Sequence, residues 1–514
     1  MTIPDPLTAQ ALNAAQDPFG SCLVGQRPEP CALVLFGASG DLAARMVFPA
    51  LFSLTVNGVL PEQMTITGAA RTQMTDETFR QRMRQALVEN GSFNAAAWES
   101  LAPRVFYQSL DYSDQAGFQL LEARLRDQDA TFGTRGSRVF YLATPPTVYE
   151  DVACMLGAVG LASQQDRSFS RIVVEKPFGR DLATARALDA ALHEHFTEDQ
   201  IFRIDHYLAK ETVQNILMFR FANAIFEPVW NRQYIASVTC AAMESLGVEH
   251  RAGYYEHSGV LRDMFQNHMM QLLALVAIEP PSLFEANRVR DEKTKVYGSL
   301  RPFDPLRIST DLVLGQYGPG TMGGASVPGY RAEPGVGPDS ITPTFAMMRL
   351  WLDNWRWQGV PFLLTSGKRL REKLTRIVVT FREVPHSLFR NVLGEDISPN
   401  RLVMDIHPHN ALSLTFQSKL PGSKLCLQPV TMRFDFNGSH GGRSLDAYEK
   451  VLLDCMLGDQ MLFWRQDAVE LCWGFLTPIL EQCETCVDQG PALHHYPAGT
   501  WGPSASFDLV NTLF

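Results

Sequence analysis

The stretch CALVLFGASGDL, Cys31 to Leu42, decides how the first half of the chain is read. A short, wholly apolar run is followed at once by Gly37 and Gly40 and then by a helical pattern. A strand apolar at every position suits a parallel sheet that is covered on both faces. Glycines between such a strand and its helix let the backbone approach a pyrophosphate, which then rests on the helix N-terminus. Gly37, Ala38, Ser39, Gly40, Asp41 and Leu42 therefore form a candidate dinucleotide-binding turn. The spacing is G-x-x-G rather than the full G-x-G-x-x-G, and an ordinary strand-to-helix turn is the alternative.

The alternation continues downstream. MTITGAA is followed by a helical run from Asp76 to Val88, RVFYLAT by Val148 to Val159, and RIVVEKP by Leu182 to Phe196. Strands separated by helices predict right-handed βαβ units and a doubly wound, Rossmann-like parallel sheet. The expected organisation is an N-terminal extension over 1–28, a dinucleotide-binding domain over 29–204 and an α+β domain over 205–514. In that last part YIASVTCAAMESL, LTRIVVTFREV, RLVMDIH, ALSLTFQSK and CLQPVTMRFDF alternate with period two and predict a large antiparallel sheet with helices over one face. The Gly/Pro-rich GQYGPGTMGGASVPGYRAEPGVGP between them reads as a loop.

The chain has 514 residues, 46% hydrophobic and 19% charged, with 45 Lys plus Arg against 55 Asp plus Glu, a formal net charge of −10. That balance argues against nucleic acid as a partner but leaves room for a local basic pocket. Nine cysteines without paired spacing predict a reduced, cytoplasmic protein with neither disulfide framework nor structural zinc. The first residues lack the pattern of a signal peptide, and no apolar run reaches a membrane span. No metal is expected.

At the end of the second strand stands Arg71, where an NAD enzyme usually carries Asp or Glu for the ribose hydroxyls. Arginine matches a 2′-phosphate, which favours NADP, with NAD as a weaker alternative and a plain surface arginine as the bland reading. Lys176 closes another parallel strand and should point into the crevice at the strand ends. At the domain seam, IFRIDHYLAKE (Ile201 to Glu211) gathers Asp205, His206, Tyr207 and Lys210. If the segment turns helical near Asp205, His206 and Lys210 share a face suited to a phosphate; a solvated helix start is the alternative. Further on, VLRDMFQNH puts Asp263 and His268 on one helix, five residues apart and thus roughly 140° apart about an α-helical axis. If His268 is a base rather than a structural histidine, another group must orient it, and Asp205 is the candidate. SGKRLREK adds Lys368 and Lys373.

GASGDL, TPPTVY, VEKPFG, RIDHYLAKE, RAGYYEHSGVLRDMFQNH, VPFLLTSGK and DAYEKVLLDCMLGDQMLF follow one another in the order of a known family. From about Leu33 to its end the chain resembles the glucose-6-phosphate dehydrogenases. The resemblance implies oxidation of D-glucose 6-phosphate to 6-phospho-D-glucono-1,5-lactone with NADP reduction, in a homodimer or homotetramer formed through the 205–514 domain. It implies His268 as the base and Asp205 as its orienter. It also implies His206, Tyr207 and Lys210 on the phosphate, and Glu244, Asp263, Lys368 and Lys373 in the sugar pocket. Lys176 would stand between sugar and cofactor, and Tyr149 and Arg71 would join the glycine turn at NADP. Met46 departs from the pattern, standing where a lysine commonly approaches the substrate; Lys373 stands where arginine is frequent. Two rival readings are a Gfo/Idh/MocA-type sugar oxidoreductase, which lacks RIDHYLAKE, and a non-catalytic paralogue.

Overall fold

A computed structural model describes residues 27–164, 168–205, 207, 211–304, 308–389, 397–422, 426–436, 445–485 and 492–511. Residues 1–26 of the expected extension, together with His206 and Lys210, lie outside that set.

The first sheet has strands β1 (Ala32–Phe36), β2 (Thr65–Ala70), β3 (Val105–Ser109), β4 (Arg138–Leu142), β5 (Ser170–Val174) and β6 (Ile201–Arg203). They run in the order β3-β2-β1-β4-β5-β6, and every pairing is parallel. All five residues of β1 and of β4 are buried, as continuous apolar strands between two helical layers should be. Two of the six strands were not legible beforehand. VFYQS of β3 is only half-buried, and β6 is three residues long. This order is that of a doubly wound dinucleotide fold, whose crevice opens where β1 and β4 diverge at their carboxyl ends.

The second sheet is built from β7 (Ile235–Met243), β8 (Leu312–Gly318), β11 (Phe345–Leu350), β12 (Phe362–Gly367), β13 (Leu374–Phe381), β14 (Arg401–His407), β15 (Ala411–Lys419), β16 (Leu427–Asp435) and β17 (Leu493–Pro497). Its order is β16-β15-β14-β13-β7-β12-β11-β8-β17. The expected antiparallel sheet is in fact mixed, because β12 pairs with β7, and β17 with β8, in parallel. Long connections separate those pairs, so each returning strand enters in the same sense as its neighbour. The Gly/Pro-rich stretch is not wholly loop: its first residues end β8, and β9 (Gly320–Met322) and β10 (Ala325–Val327) form a small hairpin.

Between the two sheets lies the element that carries the site. Helix Ala252–Val260 is broken at Gly259 (φ 57°, ψ 179°), a backbone region essentially reserved for glycine. From there Leu261–Met269 is a π-helix, continued by helix Met270–Ala277. The π-helix packs on β7 and β12, with every residue but Arg262 buried.

Candidate active site

The glycine turn sits at the carboxyl end of β1. Gly37 has φ +74°, and a Cβ there would lie 2.3 Å from the Ala143 carbonyl oxygen, so only glycine fits between β1 and β4. Its N–H donates to the Ala69 carbonyl at 2.9 Å and to the Tyr112 hydroxyl at 3.1 Å. Gly40 N–H closes the turn onto the Gly37 carbonyl at 2.9 Å. Thr72 Oγ1 donates to Ser39 Oγ at 3.1 Å, and Arg82 donates to the Ser39 carbonyl at 2.7 Å. Arg71 is exposed beside them, its guanidinium 5.9 Å from the Tyr112 ring centre. Gly37, Ser39, Gly40, Asp41 and Leu42 reach the surface with Arg71, whereas Ala38 is buried under Gly68, where a Cβ would stand 2.8 Å from its own.

Tyr149 departs from its expected place in the cofactor cleft. It is 0% exposed and its hydroxyl donates to the Glu175 carbonyl at 3.1 Å, so it braces the residue before Lys176 rather than lining an open surface. Tyr112 and Arg82 stand in no sequence motif: Tyr112 comes from the segment after β3 and Arg82 from helix Asp76–Glu89, and only tertiary packing brings them to the turn.

Lys176 follows β5 by two residues, before a cis bond to Pro177. Its Nζ donates to the Asp263 carbonyl at 2.9 Å and to Asp263 Oδ1 at 3.3 Å. Lys368, at the end of β12, puts its Nζ 2.5 Å from Glu244 Oε2, 3.8 Å from Asp263 Oδ2 and 5.0 Å from the Tyr255 ring centre. Arg251 lies 4.0 Å from Asp263 Oδ1. His268 Nδ1 and Asp205 Oδ1 are 2.6 Å apart. The same Oδ1 accepts the Tyr207 N–H at 3.0 Å, and the Tyr207 ring stacks on His268 with centroids 4.0 Å apart. Lys373 is exposed; because Leu374 faces Met243 in the antiparallel ladder, its backbone stands level with Glu244. Met46 is also exposed, at 41%.

The expected separation of Asp263 from His268 does not hold. On an α-helix the two would diverge, but the i→i+5 bonding of a π-helix brings residues five apart onto one face. Such π-turns are frequent at functional sites. Asp205 itself stands in non-helical backbone and the next described helix is Glu211–Phe221, while residues 206 and 208–210, on which a shared face for His206 and Lys210 depends, lie outside the described residues. Arg251 and Tyr255, both within RAGYYEHSGVLRDMFQNH, also join this cluster, through Asp263 and Lys368 respectively.

Burial raises the Asp263 carboxyl, but Lys176, Lys368 and Arg251 outweigh it and hold it well below the usual carboxylate range. For Lys176, burial is likewise overcome by Asp263, and its ammonium is raised. Burial lowers His268; Asp205 opposes this, Lys176 adds to it, and the imidazole stays below its ordinary value. The site thus holds a neutral histidine tied to a carboxylate, next to a carboxylate kept ionised between lysines.

A parallel sheet of this order with a glycine turn at its switch point, joined to a histidine–carboxylate pair at the seam, is the architecture of a dinucleotide-dependent oxidoreductase. The chain belongs to the glucose-6-phosphate dehydrogenase family: the family's NAD binding domain matches residues 34–215 and its C-terminal domain residues 217–513. It is 44% identical over 484 residues to a glucose-6-phosphate 1-dehydrogenase of Aggregatibacter actinomycetemcomitans, covering 94% of this chain and 96% of that one. A Chlamydia pneumoniae protein of the same name is 41% identical over 505 residues, covering 97% and 98%. Among solved structures, a glucose-6-phosphate dehydrogenase in complex with glucose 6-phosphate superposes with a TM-score of 0.86 at 34% identity, covering 95% of this chain and 99% of the other. Among the described residues no helix is long and apolar enough to cross a membrane.

Proposed function

We propose that this chain oxidises D-glucose 6-phosphate to 6-phospho-D-glucono-1,5-lactone with NADP as acceptor, the first step of the oxidative pentose phosphate pathway, in the cytoplasm. The observation that carries the reading is the 2.6 Å contact between Asp205 and His268 on the same face as Asp263 and its lysines. With Nδ1–H donated to Asp205, Nε2 is the acceptor nitrogen of the neutral ring and takes the proton of the anomeric hydroxyl. Asp205 then stabilises the imidazolium that forms. Asp263 and Glu244 accept hydrogen bonds from sugar hydroxyls, Lys368 donates, and Lys373 guards the rim. Lys176 fixes Asp263 and borders the cofactor side. Tyr207, with His206 and Lys210 outside the described residues, takes the phosphate.

The close approach enforced at Gly37 fits a pyrophosphate held by Gly37, Ser39, Gly40, Asp41 and Leu42, and the exposed Arg71 fits a 2′-phosphate, which favours NADP over NAD. When bound, the nicotinamide ring supplies the hydride acceptor for C1. Residues 29–204 serve as the cofactor half and 205–514 as the substrate half. A homodimer or homotetramer is favoured by the outer strands β15 and β16, which expose Phe416, Val430, Met432 and Phe434.

The test is the initial rate of nicotinamide reduction by the purified chain, with glucose 6-phosphate or glucose, against NADP and NAD. A rate that requires the phosphate and is higher with NADP is expected. No rate with any pair, from folded protein, would leave the non-catalytic paralogue.

A further inference from the structure

Helix Ala286–Gly298 carries buried polar groups that the mechanism above does not use. Arg290 is 4% exposed and Lys293 2%, and Tyr297, four residues on, shares the face of Lys293. Among the described residues Lys293 Nζ has no hydrogen-bond partner, and neither do Arg290 Nε and Nη1, the Tyr297 hydroxyl or the Trp464 indole N–H. These atoms are donors, and they include a buried ammonium, which is costly unless an opposite charge stands close by.

The face they occupy is braced against the strand that leads to Asp205. Arg290 Nη2 donates to Gln460 Oε1 at 2.9 Å, and Gln460 Nε2 donates to the Ile201 and Glu198 carbonyls at 2.9 and 3.0 Å. The backbone N–H of Trp464 donates to the Arg203 carbonyl at 3.1 Å, and the Trp464 ring stacks on Tyr297 with centroids 5.6 Å apart. Among the described residues, the charges that act most on Lys293 are Arg290 on its own helix, Asp205 after β6, the Cys472 thiol on helix Gln466–Thr485 and Arg465 just before that helix. Cys472 is kept a neutral thiol by burial, so Asp205 is the only anion in the set. Glu198 and Asp467 face Arg290 instead. Burial and Arg290 push the Lys293 ammonium down to about 7, and Asp205 opposes them.

We propose that Lys293 is a positioning residue for the reaction, a buried cation that favours the ionised form of Asp205 and, by its charge beside the pair, lowers the proton affinity of His268. The proposal rests on the assignment of Asp205 and His268 made above. A cation near the pair favours the carboxylate and disfavours the imidazolium. Removing it therefore raises the pKa of His268 and moves the acid limb of kcat/KM to higher pH.

The experiment is an NMR titration of the 13C-labelled imidazole of His268 in the full-length protein, its signal assigned by its loss in His268→Asn. Lys293→Met should raise the His268 pKa by about half a pH unit or more, and Lys293→Arg should restore it. The acid limb of kcat/KM should follow, with KM on the plateau little changed. An unchanged His268 pKa in folded Lys293→Met overturns the proposal. If Lys293→Met does not fold, the reciprocal titration decides. In Asp205→Asn the Lys293 side-chain signal should titrate at least about half a unit lower than in wild type, and no shift overturns the proposal. Neither titration needs turnover, so a chain without dehydrogenase activity would sink the assigned reaction and leave this measurement readable.

Discussion

Replacing Asp205 in two ways separates what its charge does from what its oxygen does. Oδ1 alone takes both bonds, from His268 Nδ1 at 2.6 Å and from the Tyr207 N–H at 3.0 Å. An asparagine with its oxygen in that seat keeps these two hydrogen bonds and the histidine tautomer, and loses the negative charge. Two unit charges about 4 Å apart interact by about 4 kcal/mol at an effective dielectric near 20. With the proton roughly half-transferred in the transition state, about 2 kcal/mol of that is realised, or a factor of about 30 in kcat. Asp205→Leu also removes the acceptor and strands a backbone N–H. That costs about 1–3 kcal/mol more, so kcat should fall by about 1000-fold and the melting temperature should drop. Asp205 is 3% exposed and acts through His268, so KM for the sugar should stay within about threefold in the asparagine variant. Steady-state kinetics with thermal melts of both variants is the assay. Asparagine within threefold of wild type would refute the charge argument, and asparagine as damaging as leucine would refute the shared-oxygen argument.

Because burial holds His268 below the ordinary imidazole value, the acid limb of kcat/KM should have its midpoint below about 6.5, and a midpoint above that would contradict the buried, neutral base. Asp263→Asn leaves Lys176 and Lys368 without their shared carboxylate and should destabilise the fold by about 3 kcal/mol at pH 7 in urea titrations. Since the folded-state pKa of Asp263 is depressed, its contribution is complete above the unfolded value. The gap to wild type should therefore close only as pH falls below about 3.9, and a gap independent of pH there would speak against the ion cluster. Arg71→Ala should cost about 30-fold or more in kcat/KM with NADP and little with NAD; equal losses with both would remove Arg71 from 2′-phosphate recognition.

Much of this protein could be read along the chain, for reasons that are local. Strands β1, β2, β4 and β5 announce themselves because a parallel strand covered on both faces is rich in apolar and β-branched residues without a polar alternation, and the turn after β1 because close approach to β4 tolerates only glycine. Strands β3 and β6 escaped, one half-polar and the other three residues long, held by neighbours rather than by their own pattern. The site was legible as a set of residue types but not as a geometry. His268 meets Asp205 across 63 residues of chain, Lys176 meets Asp263 across 87, and Lys368 meets Glu244 across 124. Whether Asp263 and His268 share a face depended on the π-helix that starts after the break at Gly259, a winding that helical periodicity does not distinguish from an α-helix. Tyr149, placed by its motif in the cofactor cleft, was drawn under it by core packing. Strand, turn and residue chemistry were determined by the sequence alone, since each depends on near neighbours. Which charges meet, which are buried and which face the cleft was decided only by the tertiary structure, because burial and counter-charge belong to contacts between distant segments.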